Sequence, residues 1–112
     1  MADVRIKQIK IKTGVVKRLA KEKVMYEKEA QKEKAKLEKM QASGDDSYMI
    51  RKQEEVIKES MFMIPDTLKR FQVAHNELKE ILDNEVELAE SEEYQAAAEV
   101  LKETLKTVEN VN

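Results

Sequence analysis

Cysteine is absent from this chain of 112 residues, so neither a disulfide framework nor thiolate chemistry is available to it. Tryptophan is absent too, and aromatic residues make up only 4%, which removes the stacking platform expected of a single-strand nucleic-acid binder. Two glycines and one proline are too few turn residues for a sheet fold, which would also show more β-branched and aromatic runs. No apolar run approaches the ~18 residues of a membrane-crossing helix. With a single histidine, His75, and no cysteine, the usual zinc ligand sets are missing. Asp45 and Asp46 beside Gly44 lack the ligand spacing of a calcium loop, and there is no glycine-rich phosphate loop. No metal, no cofactor and no catalytic residue is expected.

What is present is charge, at 39%, and hydrophobic residues, at 41%, dominated by Lys, Glu, Ala, Leu and Met. That is the composition of long amphipathic helices, and the length suits one domain, residues 1–112, with one modest core. The net charge is only −2 but is unevenly placed. Arg5, Lys7, Lys10, Lys12, Lys17, Arg18, Lys21 and Lys23 crowd the start, while Asp83, Glu85, Glu87, Glu90, Glu92, Glu93, Glu99, Glu103 and Glu109 dominate the end. Basic and acidic ends of this kind can lie alongside each other, or serve an oppositely charged partner. The first residues show no hydrophobic signal region, and a soluble cytosolic protein is expected.

Apolar periodicity divides the chain into helices. From about residue 4 to 42, Ile9, Val16, Ala30 and Leu37 recur with Leu19, Tyr26 and Met40 as a coiled-coil-like seam, interrupted by Lys12, Lys23 and Glu33. Ile6, Ile11, Val15, Ala20 and Val24 widen this stripe, as suits a helix with two neighbours. The segment would be roughly 57 Å long at helical rise. Gly44 offers a left-handed stop, and Asp45 or Asp46 an N-cap for a helix from about 47 to 82. In that second helix Ile57, Met61, Ile64, Leu68, Phe71, His75, Leu78 and Leu82 alternate at four and three residues. A third helix runs to about residue 108, starting at 85 by a box of Asn84 with Glu87, or at 91 from Ser91. Its apolar face reads Tyr94, Ala97, Ala98, Leu101, Leu105 and Val108. Short connections predict an all-α, antiparallel up-down-up three-helix bundle with two long helices and a shorter third.

The stretch Glu59-Ser60-Met61-Phe62-Met63-Ile64-Pro65-Asp66 stands apart. Pro65 removes a backbone donor inside a helical pattern, at a usual cost of ~3 kcal/mol. The seam keeps its register across it, which predicts a kink near Pro65 and not an end. At 100° per residue Phe62 points opposite the seam, Val73 follows the same outward line, and Met63 sits on a flank. Glu59, Asp66, Lys69 and Arg70 surround them, so the patch has the make-up of a protein-contact surface.

The run Gln8-Ile9-Lys10-Ile11-Lys12-Thr13-Gly14-Val15-Val16-Lys17-Arg18-Leu19, continuing through Lys21-Glu22-Lys23-Val24-Met25-Tyr26, resembles the tubulin-specific chaperone A (tubulin folding cofactor A) family. Glu59-Ser60 with Met63-Ile64-Pro65-Asp66 resembles its central motif, and Glu92-Glu93-Tyr94 its third helix. Where the family usually has a basic residue and two methionines before Ile-Pro-Asp, this chain has Met61, Phe62 and Met63, and Thr67 stands at a common cysteine. The resemblance implies a cytoplasmic, cytoskeleton-associated chaperone that holds β-tubulin after chaperonin release. It would pass β-tubulin to other tubulin folding cofactors, toward the αβ heterodimer, without a catalytic or nucleotide-dependent step. Glu59, Phe62, Met63, Asp66 and Arg70 are the expected contacts, with Lys17, Arg18 and Lys21 attracting an acidic surface. A structural coiled-coil module without a folding client is the competing class, and monomer and homodimer are both open.

Overall fold

The computed structural model describes residues 3–109. It holds three helices, α1 (Val4–Ala42), α2 (Ser47–Asn84) and α3 (Glu92–Glu109), with one 3₁₀ turn, Val86–Leu88, before the last. Each helix starts where a short polar side chain takes up an orphan backbone donor. Asp3 accepts from the Arg5 amide at 2.9 Å, Asp46 from that of Tyr48 at 2.7 Å, and Ser91 from that of Tyr94 at 3.2 Å. Between α1 and α2 the chain reverses at Gly44, whose φ of 68° is the left-handed conformation that a side chain would strain. Asn84 belongs to α2 and Glu85 caps that helix, so the third helix begins from Ser91 and not from Asn84.

Polar pairs set the register between helices. Lys12 meets Glu77 at 3.3 Å, and Gln53 Nε2 donates to the Glu33 carbonyl at 2.8 Å and to its carboxylate at 2.6 Å. Lys23 Nζ donates to the Val108 carbonyl at 3.0 Å and pairs with Glu27 at 3.1 Å. The charged interruptions of the α1 seam therefore all have partners inside the chain. At the start of the bundle Arg5 bridges Asp3, Glu85 and Glu87, which lays the basic beginning of α1 against the acidic approach to α3. The Arg5 hydrogen bond holds the Asp3 carboxyl below its ordinary range. Stability from that contact is present above the ordinary Asp pKa and is lost as pH falls through the lowered one.

The bundle measures 64 × 22 × 19 Å, and α3 has half the length of its neighbours. The apolar core joins Ile9, Val16, Leu19 and Ala20 of α1 to Phe71, Ala74, Leu78 and Leu82 of α2 and to Ala97, Val100 and Val108 of α3. Every α2 member of this cluster lies after Pro65. Before it, α1 and α2 continue as a two-helix pair whose buried residues are Ala30, Gln53, Ile57 and Ser60.

Three apolar faces differ from their sequence patterns. On α2 the buried line runs through Ser60, Thr67 and Ala74, not through Met61, Leu68 and His75, while Ile57, Phe71, Leu78 and Leu82 are buried as the pattern requires. Small residues facing α1 let the helices approach closely, and Thr67 is 1% exposed. Leu68 and His75 lie half-buried on the side toward α3. On α3 the buried residues are Ala97, Val100, Thr104 and Val108, while Ala98 and Leu105 are exposed. The Thr104 hydroxyl donates back to the Val100 carbonyl at 2.6 Å, and that of Thr13 to Ile9 in the same way. A hydroxyl satisfied by its own helix can be buried like a methyl group. On α1, Ile11 is exposed and does not widen the core stripe.

The α2 line gives a direct test. Thr67→Leu overpacks the seam and is expected to cost about 1–3 kcal/mol, whereas Met61→Ser should change stability by less than about 0.5 kcal/mol. Urea unfolding of the two variants distinguishes this seam from the one through Met61 and Leu68.

Candidate interaction surface

Pro65 is exposed, and α2 continues through it as one helix. The Met61 carbonyl, which would accept from residue 65, loses its helical donor there. Phe62 is 68% exposed on the side of α2 opposite the seam, and Val73 is exposed further along the same line. Asp66 and Arg70 form an ion pair at 3.0 Å beside it, Glu59 is exposed, and Met63 is half-buried on the flank. An exposed ring bordered by Glu59 and an ordered ion pair offers an apolar contact with a polar rim.

Met61 adds to this surface. It is 45% exposed, at the level where α3 ends among the described residues. The pairs Gln53–Glu33 and Lys12–Glu77 place Met61 beyond the level of Lys23, where Val108 already lies in the last turn of α3. A second apolar feature escaped the pattern analysis. Met40, Met49 and Val56 line a groove of about 320 Å³ near the α1–α2 reversal, with Lys36, Lys52 and Glu59 at its edges. Its signal is the seven-residue recurrence of Met49, Val56 and Met63 on one flank of α2.

The predicted residues fall into two groups. Glu59, Phe62, Met63, Asp66 and Arg70 share α2. Lys17, Arg18 and Lys21 are exposed on α1, and the cavities they line contain no α2 residue. Arg18 pairs with Glu22 at 3.5 Å along its own helix. His75 is engaged elsewhere: its Nε2 lies 2.9 Å from the Leu101 carbonyl oxygen, which requires the proton on that nitrogen, and its ring packs 5.5 Å from that of Phe71. Among the described residues no group of three or more His, Cys, Asp or Glu could hold a metal ion. No helix among them is long and apolar enough to cross a membrane.

A rigid helical rod with apolar side chains presented among charges defines a class of helical binding scaffolds. Comparison with known proteins narrows the class. Residues 4–101 match the family described as Tubulin binding cofactor A, and the chain belongs to that family. It is 58% identical to the tubulin-specific chaperone A of Gallus gallus over 91% of this chain and 94% of that one. It is 41% identical to the tubulin-folding cofactor A of Arabidopsis thaliana over 95% and 89% of the two chains. The fold superposes on human tubulin chaperone cofactor A with a TM-score of 0.76 at 51% identity, covering 90% of this chain and 98% of that one. On the Arabidopsis thaliana cofactor the TM-score is 0.81 at 38% identity, covering 92% and 97%.

Two substitutions test whether this surface is separate from the fold. Phe62→Asp should leave the urea midpoint unchanged within the equivalent of about 0.5 kcal/mol, because nothing in the core touches the ring. Pro65→Ala restores a helical donor and should raise stability by about 1–3 kcal/mol.

Proposed function

We propose that this chain is a tubulin-folding chaperone that binds β-tubulin after its release from the chaperonin and holds it until it is handed on toward the αβ heterodimer. The observation that carries this reading is the match, over nearly the whole length of both chains, to proteins named tubulin-specific chaperone A. The mechanism is stoichiometric. The outer face of α2 covers apolar surface on β-tubulin that α-tubulin or another folding cofactor later occupies. Phe62 is the anchor, Met63 and Met61 extend the apolar contact, and Glu59, Asp66 and Arg70 form the polar rim. A buried aromatic within a polar rim is the usual source of most of an interface's binding energy. Lys17, Arg18 and Lys21 lie elsewhere on the bundle, so their part is long-range attraction to an acidic partner, which speeds encounter. The site of action is the cytoplasm, alongside the cytoskeleton whose subunit is being handled.

A coiled-coil module without a client is the weaker reading. The charged seam positions Lys12, Lys23 and Glu33 find partners within the chain, so they require no second copy.

A native gel with newly folded β-tubulin tests the proposal. The wild-type chain should shift β-tubulin without α-tubulin, and Phe62→Asp should weaken capture by about tenfold or more. Failure of the wild-type chain to capture β-tubulin would overturn the function. Unchanged capture by Phe62→Asp would remove the α2 face from it.

A further inference from the structure

Three shallow cavities run end to end along the outer side of α1. The first, about 380 Å³, lies between Lys10, Gly14 and Lys17 on one side and Glu92 and Glu93 of α3 on the other. The second, about 470 Å³, shares Gly14 and Lys17 and adds Arg18, Lys21, Glu22 and Met25. The third, about 410 Å³, shares Lys21 and Met25 and adds Val24, Lys28 and Thr107. Together they form one groove from Lys10 to Lys28, about 27 Å long at helical rise. Gly14 opens it: a Cβ there would meet nothing within 4 Å, so the absent side chain leaves a notch in the helix surface. Met25 supplies an exposed apolar spot between the cations.

The groove carries an excess of cations: Lys10, Lys17, Arg18, Lys21 and Lys28 line it against Glu22, Glu92 and Glu93. Arg5, Lys12 and Lys23 meet carboxylates of the bundle. Among the described residues, Lys10, Lys17, Lys21 and Lys28 have no carboxylate within 4.0 Å, and Arg18 has Glu22 at 3.5 Å. Along the helix Lys10 and Lys17, and Lys21 and Lys28, are about 10.5 Å apart and Lys17 and Lys21 about 6 Å, so the row spans the length of roughly eight extended residues.

We infer that this groove seats an extended acidic peptide segment of about eight residues. Carboxylates on one edge of the peptide meet Lys10, Lys17, Lys21 and Lys28 in turn, and an interspersed apolar side chain rests on Met25. No aromatic side chain lines the groove for the bases of a nucleic acid to stack on. The groove lies on α1, apart from Phe62, and the inference does not rest on the chaperone reading.

The test is fluorescence anisotropy with a labelled oligoglutamate of about eight residues. Binding should be saturable and should weaken steeply as salt rises toward about 0.15 M. The double variant Lys17→Glu/Lys21→Glu should lose about tenfold or more in affinity, while the charge-matched Lys52→Glu/Lys58→Glu on α2 stays within about twofold. Gly14→Leu, which fills the notch without changing charge, should weaken binding, and Phe62→Asp should not. Absence of saturable binding, or equal losses in the two charge-reversed pairs, would overturn the assignment. So would tighter binding of inorganic polyphosphate than of the peptide, since the ligand would then not be a carboxylate chain.

Discussion

Polar side chains inside the α1–α2–α3 contact have one arrangement in which all are satisfied, and the rest of the molecule follows from it. Gln53 bonds to Glu33 and Lys23 to the Val108 carbonyl and Glu27, while Lys12 meets Glu77 at the exposed edge of the contact. A shift of one heptad between helices would strand Gln53, 6% exposed, and take the Val108 carbonyl from Lys23, 4% exposed, leaving it only Glu27 of its own helix. Each buried polar group stranded in this way costs about 1–3 kcal/mol, and more when charged. Apolar heptads alone tolerate such slips, because one leucine can replace another. Register therefore comes from the polar pairs, while the apolar residues supply the driving force. Lys23 also marks where α3 ends. Past that level, among the described residues, α2 has one neighbour instead of two, and Met61 is exposed there.

The architecture was largely legible in the sequence. Heptad spacing gave the two long helices and Gly44 with Asp45 or Asp46 the reversal, while the start of α3 stayed open between Asn84 and Ser91. The packed faces were less legible, because a hydropathy pattern counts threonine, serine and lysine as outward residues. Thr13 and Thr104 satisfy their hydroxyls on their own helix, and Lys23 satisfies its ammonium on the end of another. Their burial depends on partners that only the folded geometry supplies. The same pattern counts Met61, Ile11 and Leu105 inward, although each lies where no neighbouring helix covers it.

Of the candidate surface, the outward direction of Phe62 follows from helical geometry alone, since the seam runs through α2 on both sides of it. The exposure of Met61 does not, because it depends on where a different helix stops. Lys17, Arg18 and Lys21 are readable as a basic cluster, but not as part of a groove. In the sequence Gly14 is only a weak point in a helix; in the bundle it opens a notch between those cations. The likeness to the cofactor A family could be read from three stretches, residues 8–26, 59–66 and 92–94, and the match over residues 4–101 establishes the membership.

Hydroxyl-radical footprinting of side chains, with and without newly folded β-tubulin, bears most directly on the claim that the outer face of α2 at Pro65 receives the client. Phe62, Met61 and Met63 are reactive probes within that segment, while Met25 on α1 and Met49 near the chain reversal report on other faces. The account predicts protection of Phe62 and Met63 in the complex, with Met49 labelled as in the free chain. Full labelling of Phe62 in a complex that protects other methionines would contradict it.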